Sequence, residues 1–186
     1  IRRPDTGVVD VAFDTSVTGA NIAANTNANY TQIRRIGSIL RESASIVAFS
    51  QEGDEFYRKA SVLDINATNP GSSAVLRTLS VPVGLKVHAI FNLNVRNSGT
   101  SVGFGVYVSS PDQNDEAAAY FNSATPLINT SPTVSVTAGT ADSAGPQARV
   151  RTNTSAQIRT RAGGSDGSCS LGIATLGWVD RRGRDD

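Results

Sequence analysis

Methionine is absent from the 186 residues, and cysteine, histidine and tryptophan occur once each, as Cys169, His88 and Trp178. One cysteine excludes an intrachain disulfide and a cysteine-based zinc centre, and Cys169 reads as a small buried core residue. The single histidine sits on the polar face of a strand pattern and reads as a surface residue rather than a catalytic base. Charged residues are sparse at 18%, against about 25% in an ordinary domain. Lysine is limited to Lys59 and Lys86 beside 15 arginines, and glutamate to four residues. A net charge of +1 is too small for a general binder of nucleic acid or of a membrane surface. No apolar run reaches the roughly 18 residues of a membrane span, and no signal-peptide pattern opens the chain. A chain that begins with Ile and holds no Met is expected to lack an upstream region.

Catalytic and cofactor motifs are missing as well. No GxSxG, HExxH, P-loop or GxGxxG occurs in a suitable setting, so the sequence points to a non-enzymatic protein with no cofactor. Glu52, Asp54 and Glu55 cluster, but at an expected hairpin tip, which fits a solvated turn better than a glycosidase carboxylate pair. Asp112, Asn114, Asp115 and Glu116 bring several oxygens into five residues. Their spacing lacks the glycine and the distal glutamate of a calcium loop, so a solvated acidic loop is the expected reading and no metal is assigned.

Serine, threonine and asparagine number 21, 17 and 13. Their short polar side chains compete with helical hydrogen bonds and suit strands and turns. The dominant pattern is alternation. Leu85, Val87, Ala89, Phe91, Leu93 and Val95 share one face, and Lys86, His88, Ile90, Asn92, Asn94 and Arg96 the other. Val102 to Val108 repeats it, with Asn97–Thr100 expected as a hairpin turn. Further strands are expected at Val8–Asp14, Ile36–Arg41, Ser45–Ser50, Glu55–Ile65, Val75–Val81, Thr133–Thr137, Gln147–Thr152, Ala156–Arg161 and Ser168–Val179. Gly53-Asp54 is expected to turn between two of them. The best helical segment, Asp115–Phe121, is one or two turns at most. Thr15–Thr31, Asn66–Ser73 and Thr137–Gly145 read as long polar loops. The whole, residues 1–186, is expected to be one all-β domain: an antiparallel β-sandwich, jelly-roll-like, of about ten short strands. Its polar tail, Asp180–Asp186, is expected to fray or to bind a neighbour.

Two groups of residues stand out as candidate contacts. Pairing strands 147–152 and 156–161 through a three-residue loop places Arg149 opposite Arg159 and Arg151 opposite Gln157, with Arg161 nearby. Like charges face to face weaken a sheet, so such a stripe wants acidic partners. Subunit packing is the preferred reading; solvated arginines and an anionic glycan or phosphate are the others. A two-residue loop would split the arginines between faces. The second group, Asp112, Asn114, Tyr120 and Phe121, could meet a surface glycan, since aromatic faces stack on sugar C–H surfaces and Asn and Asp bond hydroxyls. The alternative is that the two aromatics only pack their loop onto the sandwich.

Taken in order, Arg3–Phe13, Tyr30–Leu40, Phe49–Phe56, Val81–Val87, Ser109–Asp112, Val150–Arg161 and Thr175–Arg184 resemble a domain of phage and prophage tail proteins of the tail-fibre type. Relatives carry more β sequence, with a Trp-Tyr pair, before the equivalent of Arg3-Pro4-Asp5, and are shorter and proline-bearing at Asn21–Asn29. The resemblance implies a virion structural protein of a tailed bacteriophage, extracellular after release, near the host-facing tail apparatus, and no catalytic residue. It implies a homo-oligomer, a trimer favoured, with other virion proteins and a bacterial surface glycan or protein receptor as partners. A capsid-attached head fibre or decoration protein and a tailspike-type glycan hydrolase are the rival expectations.

Overall fold

The structure is a computed structural model that describes residues 1–25, 30–99, 104–117, 133–136 and 143–182. In chain order its elements are α1 (Ala20–Asn25), β1 (Arg41–Glu42), β2 (Ser45–Ile46), β3 (Phe49–Glu52), β4 (Glu55–Thr68), β5 (Val75–Thr78), β6 (His88–Asn97), β7 (Phe104–Ser109), β8 (Thr133–Val136), β9 (Ser143–Arg151), β10 (Gln157–Gly163) and β11 (Cys169–Val179). A small β1-β2 ribbon stands apart from two larger antiparallel sheets, ordered β3-β4-β11-β6-β9 and β5-β10-β7-β8.

That order is a jelly roll. Counted from β4, one sheet uses the first, eighth, third and sixth strands, and the other the second, seventh, fourth and fifth; β3 is added at an edge. Closing two four-stranded sheets this way leaves few exposed edges and one shared core. The alternation of β6 is as expected, except that Ile90 is buried on the outer face. Inward residues of both sheets, including Phe91, Leu93, Ile173 and Trp178 from one and Phe104, Val106, Val108 and Ile158 from the other, form a single cluster. At one end Trp178 stacks on Phe56 with ring centroids 5.4 Å apart, and Phe49 tilts against both.

Local chemistry explains the irregular places. Glu52 pairs with Glu55 around Gly53-Asp54, and Gly53 takes the positive φ of 56° that a two-residue hairpin loop needs. Asp64 is skipped by the β4–β11 ladder. Its carboxylate instead accepts the Ser80 backbone N–H and hydroxyl and the hydroxyl of the buried Thr175. Ser80 follows β5, so this one carboxylate ties the two sheets together.

Four expectations are corrected. Val8–Asp14 is not a strand: Arg2 bridges Val9 and Gln32 singly, and no sheet edge of the described chain lies along it. The Asn97–Thr100 turn does not close a hairpin, because β6 and β7 belong to different sheets. The expected loop from Thr15 contains α1, whose Ile22 N–H is capped by the Asp14 carboxylate. Of the expected tail Asp180–Asp186, residues 183–186 lie outside the described residues, and Asp180–Arg182 is tied to its own chain rather than frayed: both Asp180 oxygens accept from Arg35 at 2.8 Å, and the Arg182 guanidinium donates to the Gly53 carbonyl at 2.9 Å. No described helix is long and apolar enough to cross a membrane.

Candidate functional site at the β9–β10 crossover

The arginine hairpin is the main correction. β9 pairs with β6 and β10 pairs with β5 and β7, so the two strands lie in opposite sheets. The intervening turn still closes locally, with Asn153 N–H donating to the Gln157 carbonyl and Ala156 N–H to that of Asn153. Val150 and Ile158 do face the same core. Arg149 and Arg159 therefore point away from each other, on opposite outer faces, and the like-charge stripe does not form.

Each of the four arginines instead meets an acid of its own chain. Arg149 lies 2.6 Å from Glu55 and Arg151 lies 4.0 Å from Asp112. Arg161 is 2.6 Å and Arg159 3.7 Å from Asp115. Arg159 does more. It donates to the Ser109 hydroxyl and to the carbonyls of Ser110, Gln113 and Asn114. Five donors on a rigid planar fork suit it to gather loop carbonyls in this way. Arg159 and Arg161 thus fasten the 110–115 loop to the outer face of the β5-β10-β7-β8 sheet.

That loop carries half of the second candidate group. Both oxygens of Asp112 accept from Lys86 Nζ at 2.8 Å. The Asn114 side chain is exposed, while its carbonyl is held by Arg159. Tyr120 and Phe121 lie outside the described residues. Asn114 is thus held by Arg159 on the outer face of the other sheet, whereas Arg151, Asp112 and Lys86 are joined into one corner. Arg149 borders it: His88 pairs with Arg151 and Ile90 with Arg149 in the β6–β9 ladder.

The far wall comes from β4. Gly177 pairs with both Tyr57 and Ile90, so Tyr57, Gly177, Ile90 and Arg149 form one row across the sheet. With no side chain at Gly177, Arg149 reaches over the row to the Tyr57 hydroxyl at 3.4 Å, and that hydroxyl donates to Glu55 at 2.7 Å. The Arg149 guanidinium, and then the Tyr57 hydroxyl, hold the Glu55 carboxyl below its ordinary range. Glu55 in turn raises the pKa of the Tyr57 phenol and that of Arg149. Lys86, His88, Glu55 and Tyr57 were not assigned from sequence. The alternation put Lys86 and His88 on the right face, but nothing local tied Glu55 to a residue 94 positions away.

The predicted acidic loop holds no assembled cation cage. Asp112 and Asp115 turn to different cations, and among the described residues no three His, Cys, Asp or Glu side chains gather as a metal site needs. Cys169 is buried, and that burial raises its thiol pKa.

Fold and corner together define an all-β jelly-roll protein with a charged, solvent-facing site built on rigid strands. No family model, curated protein or solved structure matches the chain.

Proposed function

We propose that this chain is a non-enzymatic structural and attachment domain of a bacteriophage virion, of the tail-fibre or distal-tail kind, acting as a homo-oligomer at the host surface. The jelly-roll topology carries this reading. Capsid and lectin domains use that fold, by analogy of architecture alone, and the ordered resemblance to tail-fibre-type segments points the same way. The corner suits contact better than bond-making: Glu55, Asp112 and Asp115 are each engaged by a cation, where a glycosidase wants two carboxylates facing a sugar.

Self-association draws support from the N-terminal arm. Val9, Val11 and Phe13 alternate along it and are 71%, 65% and 75% exposed. Exposed apolar residues concentrated in one segment mark an interaction surface. Antibody labelling of intact particles, with adsorption blocking by the purified chain, tests the reading. Label at the distal tail and slowed adsorption are expected. Label on the head would move the chain to the capsid-attached alternative, and no label on the virion would sink the proposal.

A further inference from the structure

Residues 4–13 are exposed throughout, although they carry four large apolar side chains, Val8, Val9, Val11 and Phe13. The Asp10 N–H donates to the Ile1 carbonyl at 3.0 Å and the Arg3 N–H to that of Val8 at 2.9 Å, on either side of the bridge from Arg2 to Val9. Arg2 bridges Gln32 as well. Antiparallel bonding alternates along a strand, so the backbone groups of Val8 and Asp10 face residues 1–3, and those of Val9 and Val11 face away. Among the described residues nothing bonds the Val9 backbone, and the Val11 N–H meets only the side chain of its neighbour Asp10. A bare, apolar strand edge of this kind is a template for another strand.

We infer that the strand it takes is the same arm of a second copy, paired antiparallel about Val11 across a two-fold axis. The inference rests on the homo-oligomer reading and gives it a geometry. The arm's own sequence selects both occupant and register. Centred on Val11, the two segments put Val9 opposite Phe13, Val11 opposite Val11 and Asp10 opposite Ala12. Val9 and Val11 supply free backbone groups and also belong to the apolar face, so ladder bonds and β-branched–aromatic pairs form together. A slip of one residue sets the apolar face of one arm beside the polar face of the other. Moving the centre to Asp10 sets that carboxylate against itself, and moving it to Ala12 sets Asp10 against Asp14; like charges directly opposite resist pairing. Joining the arms also merges two sets of single bridges into one sheet, beyond the three strands that independent stability needs. A two-fold contact is self-complementary and closes, so the assembly is a dimer or is built of dimers, where the resemblance favoured a trimer.

The test is disulfide trapping of the full chain, with wild type as the control because its single cysteine, Cys169, is buried. Residues directly opposed in a hydrogen-bonded antiparallel pair have Cα atoms about 5.5 Å apart, within reach of a disulfide. In the inferred register the two copies of Val9 lie about 13 Å apart, as do the two copies of Phe13. Val11→Cys is therefore expected to link into dimers at least about tenfold faster than Val9→Cys or Phe13→Cys alone, while a mixture of those two links one to the other. Sedimentation of wild type is expected to show an even-numbered oligomer. Val9→Cys or Phe13→Cys linking to itself as fast as Val11→Cys, an odd-numbered oligomer, or an oligomer in which none of the three links would overturn the pairing and leave self-association standing. Wild type that stays monomeric at every concentration would remove the homo-oligomer reading and this inference together.

Discussion

Arg149 and Glu55, 94 residues apart in sequence, form an ion pair at 2.6 Å across a sheet in which β11 and β6 lie between their strands. Both side chains retain solvent, 47% and 32% exposed, so screening discounts the pair to about 0.2–1 kcal/mol. Because Arg149 depresses the Glu55 carboxyl, the contribution is present above the unfolded value of roughly 4.3 and is lost as pH falls through the lower folded value. Urea midpoints of wild type and Glu55→Gln should differ slightly at pH 7 and converge in acid as the Glu55 carboxylate takes up its proton, and 1 M salt should shrink the difference. A gap that stays constant down the whole acid limb of the titration would show that the substitution acts through packing instead.

A larger effect belongs to Arg58. Its side chain is 4% exposed, forks onto both oxygens of Glu42 at 3.0 Å and donates to the carbonyls of Ser80 and Ala60. Arg58 lies in the 58–61 stretch where β4 leaves the β11 ladder opposite Leu176. Arg58→Ala strips partners from these carbonyls and opens a gap beneath the ribbon, costing about 1–3 kcal/mol. Glu42 is 45% exposed, so Glu42→Gln should cost under about 1 kcal/mol. Chemical denaturation of the two variants checks the order; a costlier Glu42→Gln would mean that the charge on Glu42, not the buried guanidinium, holds the segment.

Two glycines of β11 make a matched pair. A Cβ at Gly177 would overlap the Phe56 carbonyl oxygen on the neighbouring strand, whereas at Gly172 the nearest atom is the Asn94 Cβ at 3.8 Å. Backbone cannot yield as a side-chain tip can, so Gly177→Ala is expected to cost about 3 kcal/mol or to prevent folding. Gly172→Ala should be neutral, or stabilising by about 0.4–1 kcal/mol, through the unfolded chain. Melting temperatures separate the two, and equal effects would mean that β4 and β11 are not as close at Gly177 as the structure places them.

Strand positions were legible in the sequence because every strand of the sandwich turns one face to a single core. β6, β10 and β11 show that alternation plainly. The sheet each strand joins was not legible. Val150 and Ile158 look the same whether their strands pair side by side or face each other across the core, so two crossovers read as hairpins. The candidate arginines were found and their partners were not, since Glu55 and Asp115 come from β4 and from a loop far along the chain. The arm at Val8–Asp14 carries a strand's alternation without a sheet to join. Pattern records the wish for a partner, and only the fold says whether the chain supplies one.

That arm gives the last prediction. In the single chain, Phe13 at 75% and Val11 at 65% exposure add little to the core, so Val11→Ser with Phe13→Ser should shift stability by no more than about 0.5 kcal/mol. If copies of the chain cover these side chains in one another, each buried residue contributes about 1.5–3 kcal/mol to association. Removing two of them should weaken self-association by at least tenfold. Sedimentation across a hundredfold range of concentration reads this directly, with wild type moving toward a closed oligomer while the double variant stays a monomer of the same melting temperature. Wild type that remains monomeric throughout would remove the homo-oligomer from the proposal, and a double variant that melts early would show that the arm packs on its own sandwich instead.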